Sequence, residues 1–495
     1  MERTPLTRHL TAALLALGLA TAGLAPAAAG ARAAEPGLPA APTPEAIDTY
    51  LADLTEASGV PGLSAVVTHD DRVVHAAGYG HDADGSPVTA DTPMRVASVT
   101  KSFTATAVMI LAEDGRIDLD GPVTDQLPEL RMADPRVDEI TVRQLLDQTS
   151  GLADTSVDVA DLAEATSRTD YVARLHDDAL ATDPGTTYAY CNVNFDVAAR
   201  LVEVASGRPF GDFLAERVFG PLGMSGSATR DDVVRPADGY TSLFGWWVPR
   251  EEPRWFDDTG SAGVITTAAD LGPWLISQTG HGRRLVPDAD LDAMHTPSAV
   301  GEYGLGWHTE DDGTRWHSGF VMTYRAVEWI DPATGYGIAV LTNGAGLTDV
   351  TRTALDGLVA LTRGEAPVPP AGSPTLDLGL AAVLLASAAL GVVGVLRAPR
   401  WATRRAGRAC WATGLRLAWL VLPALVLALL PALATFLTGG RTFPWPSLLY
   451  FGLPVVLVLL VAALAGLAVL GARLRALLRG LPRTLSRRRP VGSAA

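Results

Sequence analysis

The sequence predicts an α+β fold in which one antiparallel sheet is built from both termini of the body and flanked by helices. A helical domain is inserted into it, and an all-α transmembrane region follows. Three observations predict this. Runs rich in β-branched residues stand in pairs at both ends of an acidic body, the stretch between them is mostly helical in pattern, and three charge-free apolar runs lie near the C-terminus.

Residues 1–34 read as an export signal. Arg3 and Arg8 precede an apolar stretch from Leu10 to Leu24, and small residues follow. Ala31-Arg32-Ala33 fits the A-x-A cleavage pattern, and Ala27-Ala28-Ala29 fits nearly as well. The body is expected over 35–363. Leu63–His69 and Arg72–Gly78 flank Asp70-Asp71 as a hairpin. Tyr324–Ile330 and Gly337–Asn343 flank Asp331-Pro332-Ala333-Thr334-Gly335 as a second. Between them the pattern is helical, as in Phe103–Glu113 and Val142–Asp147.

A Pro-rich linker, 364–377, leads to Leu378–Leu396, Leu417–Leu437 and Leu448–Ala472. Each run approaches or exceeds the roughly 20 residues that cross hydrocarbon, so three transmembrane helices are expected over 378–472. A cytoplasmic Arg-rich tail, 473–495, closes the chain.

Charge orients this arrangement. Glu35–Ala371 holds 22 Lys and Arg against 52 Asp and Glu, whereas Gly372–Ala495 holds 14 Arg and the single acid Asp377. So acidic a body lacks the basic face that nucleic acid requires, which excludes that partner. Six Arg lie in the first connection between apolar runs, only Arg441 in the second, and seven in the tail. The positive-inside rule makes the first connection and the tail cytoplasmic and the body extracytoplasmic, in a multi-pass plasma-membrane protein. Cys191 and Cys410 then fall on opposite sides of the membrane, where they cannot pair.

Within the body, Ser98-Val99-Thr100-Lys101 precedes an amphipathic run. On a helix, residues i and i+3 share a face about 5–6 Å apart, which brings Lys101 within reach of the Ser98 hydroxyl. A desolvated lysine can take a serine proton, and arginine cannot. Of 39 basic residues only Lys101 is a lysine. The alternative is a helix N-cap at Ser98 with a solvated lysine beside it. Tyr190-Cys191-Asn192 offers a phenol that can relay a proton and an amide that can orient substrate or lysine; His317-Ser318-Gly319 lies just before the second hairpin, where Gly319 would let a substrate lie close along the strand edge. Alone, either is an ordinary loop or turn. The remaining histidines lack metal-ligand spacing, so neither metal nor cofactor is expected.

In this order and spacing the three elements resemble the penicillin-recognising serine hydrolases, in the branch of class C β-lactamases, D-alanyl-D-alanine carboxypeptidases and esterases. Further landmarks are Thr141–Leu152 (TVRQLLDQTSGL), Pro221-Leu222-Gly223-Met224, Gly260-Ser261-Ala262-Gly263, Tyr303–Trp307 (YGLGW) and Val340-Leu341-Thr342-Asn343. The resemblance covers Ile47 to Leu361 and implies a β-lactamase/transpeptidase-like body. It implies that Ser98 forms an acyl-enzyme, that Lys101 and Tyr190 share the base and acid roles, and that Asn192, His317, Ser318 and Gly319 bind substrate. It also implies an oxyanion hole made by the backbone N–H groups of Ser98 and Phe320. Two departures stand out. His317 replaces a frequent Lys, which predicts a partial, pH-dependent charge near pKa 6.5 and a preference for neutral esters or amides over β-lactams, unless Arg325 turns inward as a permanent cation. The bulky Phe320–Arg325 either narrows the cleft or moves the strand edge.

The expected function is a membrane-anchored extracytoplasmic serine hydrolase acting through an acyl-enzyme on a peptide, amide or ester bond. Its partners would be a small-molecule or cell-wall peptide substrate and membrane lipid. The alternative is a penicillin-binding protein that acylates without turnover, as a sensor or scaffold. A transport role finds no charge inside the apolar runs to carry it.

Overall fold

The computed structural model describes residues 42–253, 258–367, 374–405 and 408–479. The expected export signal, part of the linker and most of the Arg-rich tail lie outside them.

Helix α1 (Pro44–Ser58) starts where the Thr43 side chain accepts the Ala46 N–H, with Pro44 in its first turn, and stops at Gly59 in the left-handed region. Strands β1 (Gly62–His69) and β2 (Arg72–Gly80) form the first expected hairpin. After a long helical insertion, which includes α2 (Thr100–Glu113), α3 (Asn192–Ser206) and α4 (Ala268–Gln278), come β3 (Arg315–Phe320), β4 (Arg325–Asp331) and β5 (Tyr336–Thr342). Helix α5 (Val350–Thr362) follows. The sheet order is β2-β1-β5-β4-β3, with the short strand His308–Thr309 outermost. β1 pairs antiparallel with β5, from Leu63 opposite Thr342 to His69 opposite Tyr336. The two ends of the body thus meet inside one sheet, as the paired hairpins predict.

Alternation along the central strands separates two cores. Leu63, Ala65 and Val67 pack with Ile47, Leu51 and Leu54 of α1 and Leu355 and Leu358 of α5. Val66 faces the other way, into the core that holds Leu271, Trp274 and Leu275 of α4. Every residue of α2 from Thr100 to Leu111 is buried, the signature of a helix enclosed on all sides. Phe103 of α2 stacks on Trp274 with ring centroids 3.9 Å apart, tying this helix to the layer that covers the sheet.

The C-terminal region departs from three continuous spans. Among the described residues two helices, α6 (Pro374–Leu396) and α7 (Leu453–Arg479), are long and apolar enough to cross a membrane. The middle run is divided into Cys410–Ala418, Leu422–Ala428 and Leu430–Leu437, and it supplies a third span only if the first two, bent by 43°, are counted as one. Pro423 and Pro431 sit in the first turns of the second and third pieces, where proline's missing N–H and its ring interrupt the preceding turn. The last span begins at Leu453 rather than Leu448, because Trp445–Tyr450 forms a short helix of its own.

Candidate active site

The turn that carries Ser98 is built by backbone constraint. Ala97 is held at φ +49°, a conformation L-residues rarely adopt, and Ala97–Val99 form a 3₁₀ turn that runs directly into α2. The turn is fastened to the strand at Ile265–Thr266: Val96 N–H donates to the Val264 carbonyl at 3.1 Å, and Val264 N–H donates to Thr100 Oγ1 at 2.9 Å. Ser98 is left half-buried between fully buried neighbours.

One turn along, Lys101 is completely buried, and its Nζ lies 3.1 Å from Ser98 Oγ, 2.9 Å from Asn192 Oδ1 and 2.9 Å from the Ser261 carbonyl oxygen. A neutral amine has two N–H bonds and one lone pair. Asn192 and Ser261 accept the two hydrogens, which leaves the lone pair for the Ser98 hydroxyl. Burial lowers the Lys101 pKa well below that of an ordinary lysine, and the Arg441 guanidinium lowers it further, against the opposing pull of Asp196 and Asp154. Asp196 is itself buried and accepts from Ser261 N–H at 3.0 Å and Ser261 Oγ at 3.1 Å, so it fixes the carbonyl that holds Lys101.

Tyr190 lies with its ring 4.9 Å from Lys101 Nζ and hydrogen-bonds Ser98. Burial pushes its phenol up to about 12, partly offset by that bond and by Arg441. At neutral pH it therefore carries its proton. The Tyr190 turn is anchored by Gln148, at φ +63°, whose Oε1 accepts from Cys191 N–H at 3.0 Å and Asn194 Nδ2 at 2.6 Å. The Thr141–Leu152 landmark thus acts on the site by holding the second motif.

On β3, side chains alternate. Ser318 is exposed, while His317 is buried in the fold. His317 Nδ1 lies 2.8 Å from the Ser318 carbonyl and must donate to it, so Nε2, 3.0 Å from the Tyr303 hydroxyl, accepts. Burial, then His308 and Lys101, hold its pKa well below 6.5. This overturns the expectation of a half-charged His317 reading substrate charge: the ring is neutral and both nitrogens are occupied. Arg325 does not turn inward either; it pairs with Asp349 at 3.2 Å and donates to the Gly346 carbonyl.

Ser98, Asn192 and Phe320 share a cavity of about 270 Å³. Phe320, Val321 and Met322 line it, so the bulky segment forms part of the cleft wall. Sequence reasoning missed three contributors to its chemistry. Ser261 was quoted only as a landmark, Asp196 carried no motif, and Arg441 served only as a marker of orientation. Arg441 lines this cavity, pairs with Asp154 at 3.0 Å and lies 4.8 Å from the Tyr190 ring. A larger hollow of about 500 Å³, near Trp316, Trp329 and Arg352, opens on the α5 side of the sheet and holds no nucleophile–base pair. Among the described residues no group of His, Cys, Asp or Glu is placed to hold a metal ion.

The comparison that decides kinship is with family models: the one described as Beta-lactamase matches residues 47–361. The chain belongs to the beta-lactamase family. Penicillin-binding protein 4 of Amycolatopsis lactamdurans is 31% identical over 353 residues, covering 64% of this chain and 91% of that protein. Protein flp of Staphylococcus aureus (strain COL) is 27% identical over 311 residues, covering 60% of this chain, and the match spans only 62% of flp. Among solved structures, a D-stereospecific amidohydrolase from Streptomyces sp. is similar with TM-score 0.51 and 26% identity, over 61% of this chain and 94% of that one. The family match gives the beta-lactamase fold to residues 47–361 and ends before the apolar C-terminal region.

Proposed function

We propose that the protein is a membrane-anchored, extracytoplasmic serine hydrolase that cleaves an ester or amide bond through an acyl-enzyme. The observation that carries this is the buried Lys101 amine, 3.1 Å from Ser98 Oγ with both N–H bonds already engaged. Lys101 takes the Ser98 proton as Oγ adds to the substrate carbonyl. The developing oxyanion is held by the Ser98 and Phe320 N–H groups, each such donor being worth roughly 2.7–4 kcal/mol in a transition state. Tyr190, which retains its proton, delivers one to the departing alcohol or amine, drawing in turn on the proton held by Lys101. Water then adds to the acyl-enzyme by the same route in reverse, giving the acid and restoring Ser98.

Two relatives bear on the bond cleaved: the Streptomyces neighbour is described as an amidohydrolase, and the Amycolatopsis relative as a penicillin-binding protein. What supports the orientation is agreement between two features. The Arg-poor connection that charge assigns to the body's side of the membrane is the one whose Arg441 lines the catalytic cavity.

The test is labelling of the full chain with a fluorescent fluorophosphonate and a fluorescent penicillin, followed by intact mass over time. Wild-type protein should label with both probes, keep the phosphonyl adduct and lose the penicilloyl one by hydrolysis, and Ser98→Ala should not label. Equal labelling of Ser98→Ala would remove the nucleophile assignment. A permanent penicillin adduct would favour acylation without turnover.

A further inference from the structure

One wall of the catalytic cavity comes from the membrane region. Arg441, Phe443, Pro444 and Phe451, from the stretch joining the divided middle run to α7, line the same cavity as Ser98 and Asn192. The stretch is fastened to the body at several points. Arg441 is paired with Asp154, Arg250 donates to the Leu449 carbonyl at 2.9 Å, and the Arg250 guanidinium lies 3.6 Å from the Tyr450 ring. The Tyr450 hydroxyl donates to the Glu251 carbonyl at 3.2 Å.

Phe451 stands two residues before the span that starts at Leu453, and its ring meets Phe320 edge-on with centroids 5.0 Å apart. Phe443 packs on Phe451 at 5.6 Å. Phe320 is the residue whose N–H would hold the oxyanion, so the reacting carbonyl sits beside the head of a membrane helix. A molecule anchored in the membrane arrives at such a place by lateral diffusion. The cavity matches that molecule at both ends. Phe320, Val321, Met322, Phe443 and Phe451 form an apolar side, and Arg441 stands among the polar groups. Its guanidinium has five N–H donors, of which Asp154 and the Tyr190 carbonyl, 3.4 Å away, engage only part.

We propose that the substrate is an amphiphile drawn from the membrane surface: an ester or amide whose apolar chain lies against Phe320, Phe443 and Phe451 and whose polar end meets Arg441. This rests on the serine hydrolase reading and names its substrate class. The apolar chain can belong to the acyl group, as in a lipid ester, or to the leaving group, as in a lipid-linked carrier. The chemistry of recognition is shared.

The experiment uses the full chain in lipid nanodiscs and two substrate series. One is p-nitrophenyl acetate, butyrate and octanoate, which lengthens the acyl group; the other is S-ethyl, S-butyl and S-octyl thioacetate, which lengthens the leaving group. Each fully buried CH₂ contributes about fourfold to kcat/KM, so partial burial of six should raise one series at least tenfold. Membrane partitioning is common to all variants, so the deciding quantity is the long-to-short ratio in wild type against Phe443→Ala, Phe451→Ala and the milder Phe451→Leu. The alanine variants should reduce that ratio at least fivefold and the leucine variant by less. Fluorophosphonate labelling of each variant reports that its site is assembled. Which series rises identifies which side of the bond carries the chain. Two flat series, or ratios equal in wild type and alanine variants, overturn the inference while labelling stays intact. A wild-type chain that fails to label overturns the hydrolase reading and this inference with it.

Discussion

A Cβ placed on Gly319 would lie 1.9 Å from the carbonyl oxygen of Val96 and 3.1 Å from the Cβ of Ala97. The strand edge of the third motif therefore presses directly on the turn that presents Ser98. The sequence reading expected Gly319 to make room for substrate; on this side the room it makes is for the Val96–Ala97 backbone that leads into Ser98. Gly319→Ala must drive β3 and this turn apart by more than an ångström, separating the two N–H groups proposed to share the oxyanion. The expected result is at least a tenfold fall in the second-order rate of fluorophosphonate labelling, with far-UV circular dichroism unchanged. A wild-type labelling rate would show that the close approach is incidental.

The Lys101 environment predicts a pH profile. The amine must be neutral to act, burial and Arg441 lower its pKa, and activity is therefore lost as pH falls through that lowered value. kcat/KM should rise to a plateau well below pH 10.5, the ordinary value for lysine. Lys101→Arg, which keeps charge but cannot release a proton, should lie at least 100-fold lower across the range. A profile that climbs only near pH 10, or an active arginine variant, would make Lys101 a structural cation.

Tyr190 makes a different prediction because its phenol keeps its proton. An amine leaving group must be protonated to depart, whereas p-nitrophenolate leaves without help. Tyr190→Phe should thus cut amide hydrolysis about 100-fold or more and p-nitrophenyl ester hydrolysis far less. Equal losses on both substrates would point to a positioning role for Tyr190 instead of proton delivery.

What could be read from the sequence follows from the range of each interaction. Ser98 and Lys101 are one helical turn apart, so their meeting is a local consequence of spacing, and the sheet was legible because strand alternation is also local. Lys101's third partner, Ser261, is 160 residues away, and Asp196, which holds Ser261 and acts on the lysine by its charge, belongs to no motif in the sequence. The neutrality of His317 depends on burial and on the nearness of His308 and Lys101, none of which its own tripeptide reveals. Arg441 was visible as the lone charge of a connection, but its place beside Tyr190 follows from how the helices dock. The middle apolar run had the composition of a span; its prolines, tolerable on general grounds, divide it here.

The orientation proposed from charge can be tested without any substrate. A reporter fused after Ala495 should be cytoplasmic, and the body before Pro374 should be open to protease added outside intact cells. Arg441→Cys, which by itself removes the ion pair with Asp154, should react with membrane-impermeant maleimide added from outside. Cleavage of the tail from outside would reverse the topology.

Glu328 offers a test of the fold beneath the site. It is fully buried in β4, opposite His317, and accepts from Trp274 Nε1 at 2.8 Å. Burial raises its pKa to about 8, against an ordinary value of 4.5. Between these two values the folded chain holds a proton that the unfolded chain releases. Stability therefore falls as pH rises through this window, by up to about 1.4 kcal/mol per unit, and levels off above pH 8 where both states are ionised. Glu328→Gln keeps the shape and the hydrogen bond from Trp274 but removes the titration. The variant's melting temperature relative to wild type should consequently increase steadily from pH 5 to pH 8, because every other titrating group is common to both proteins. A difference that stays constant with pH would mean that Glu328 is ionised in the folded chain.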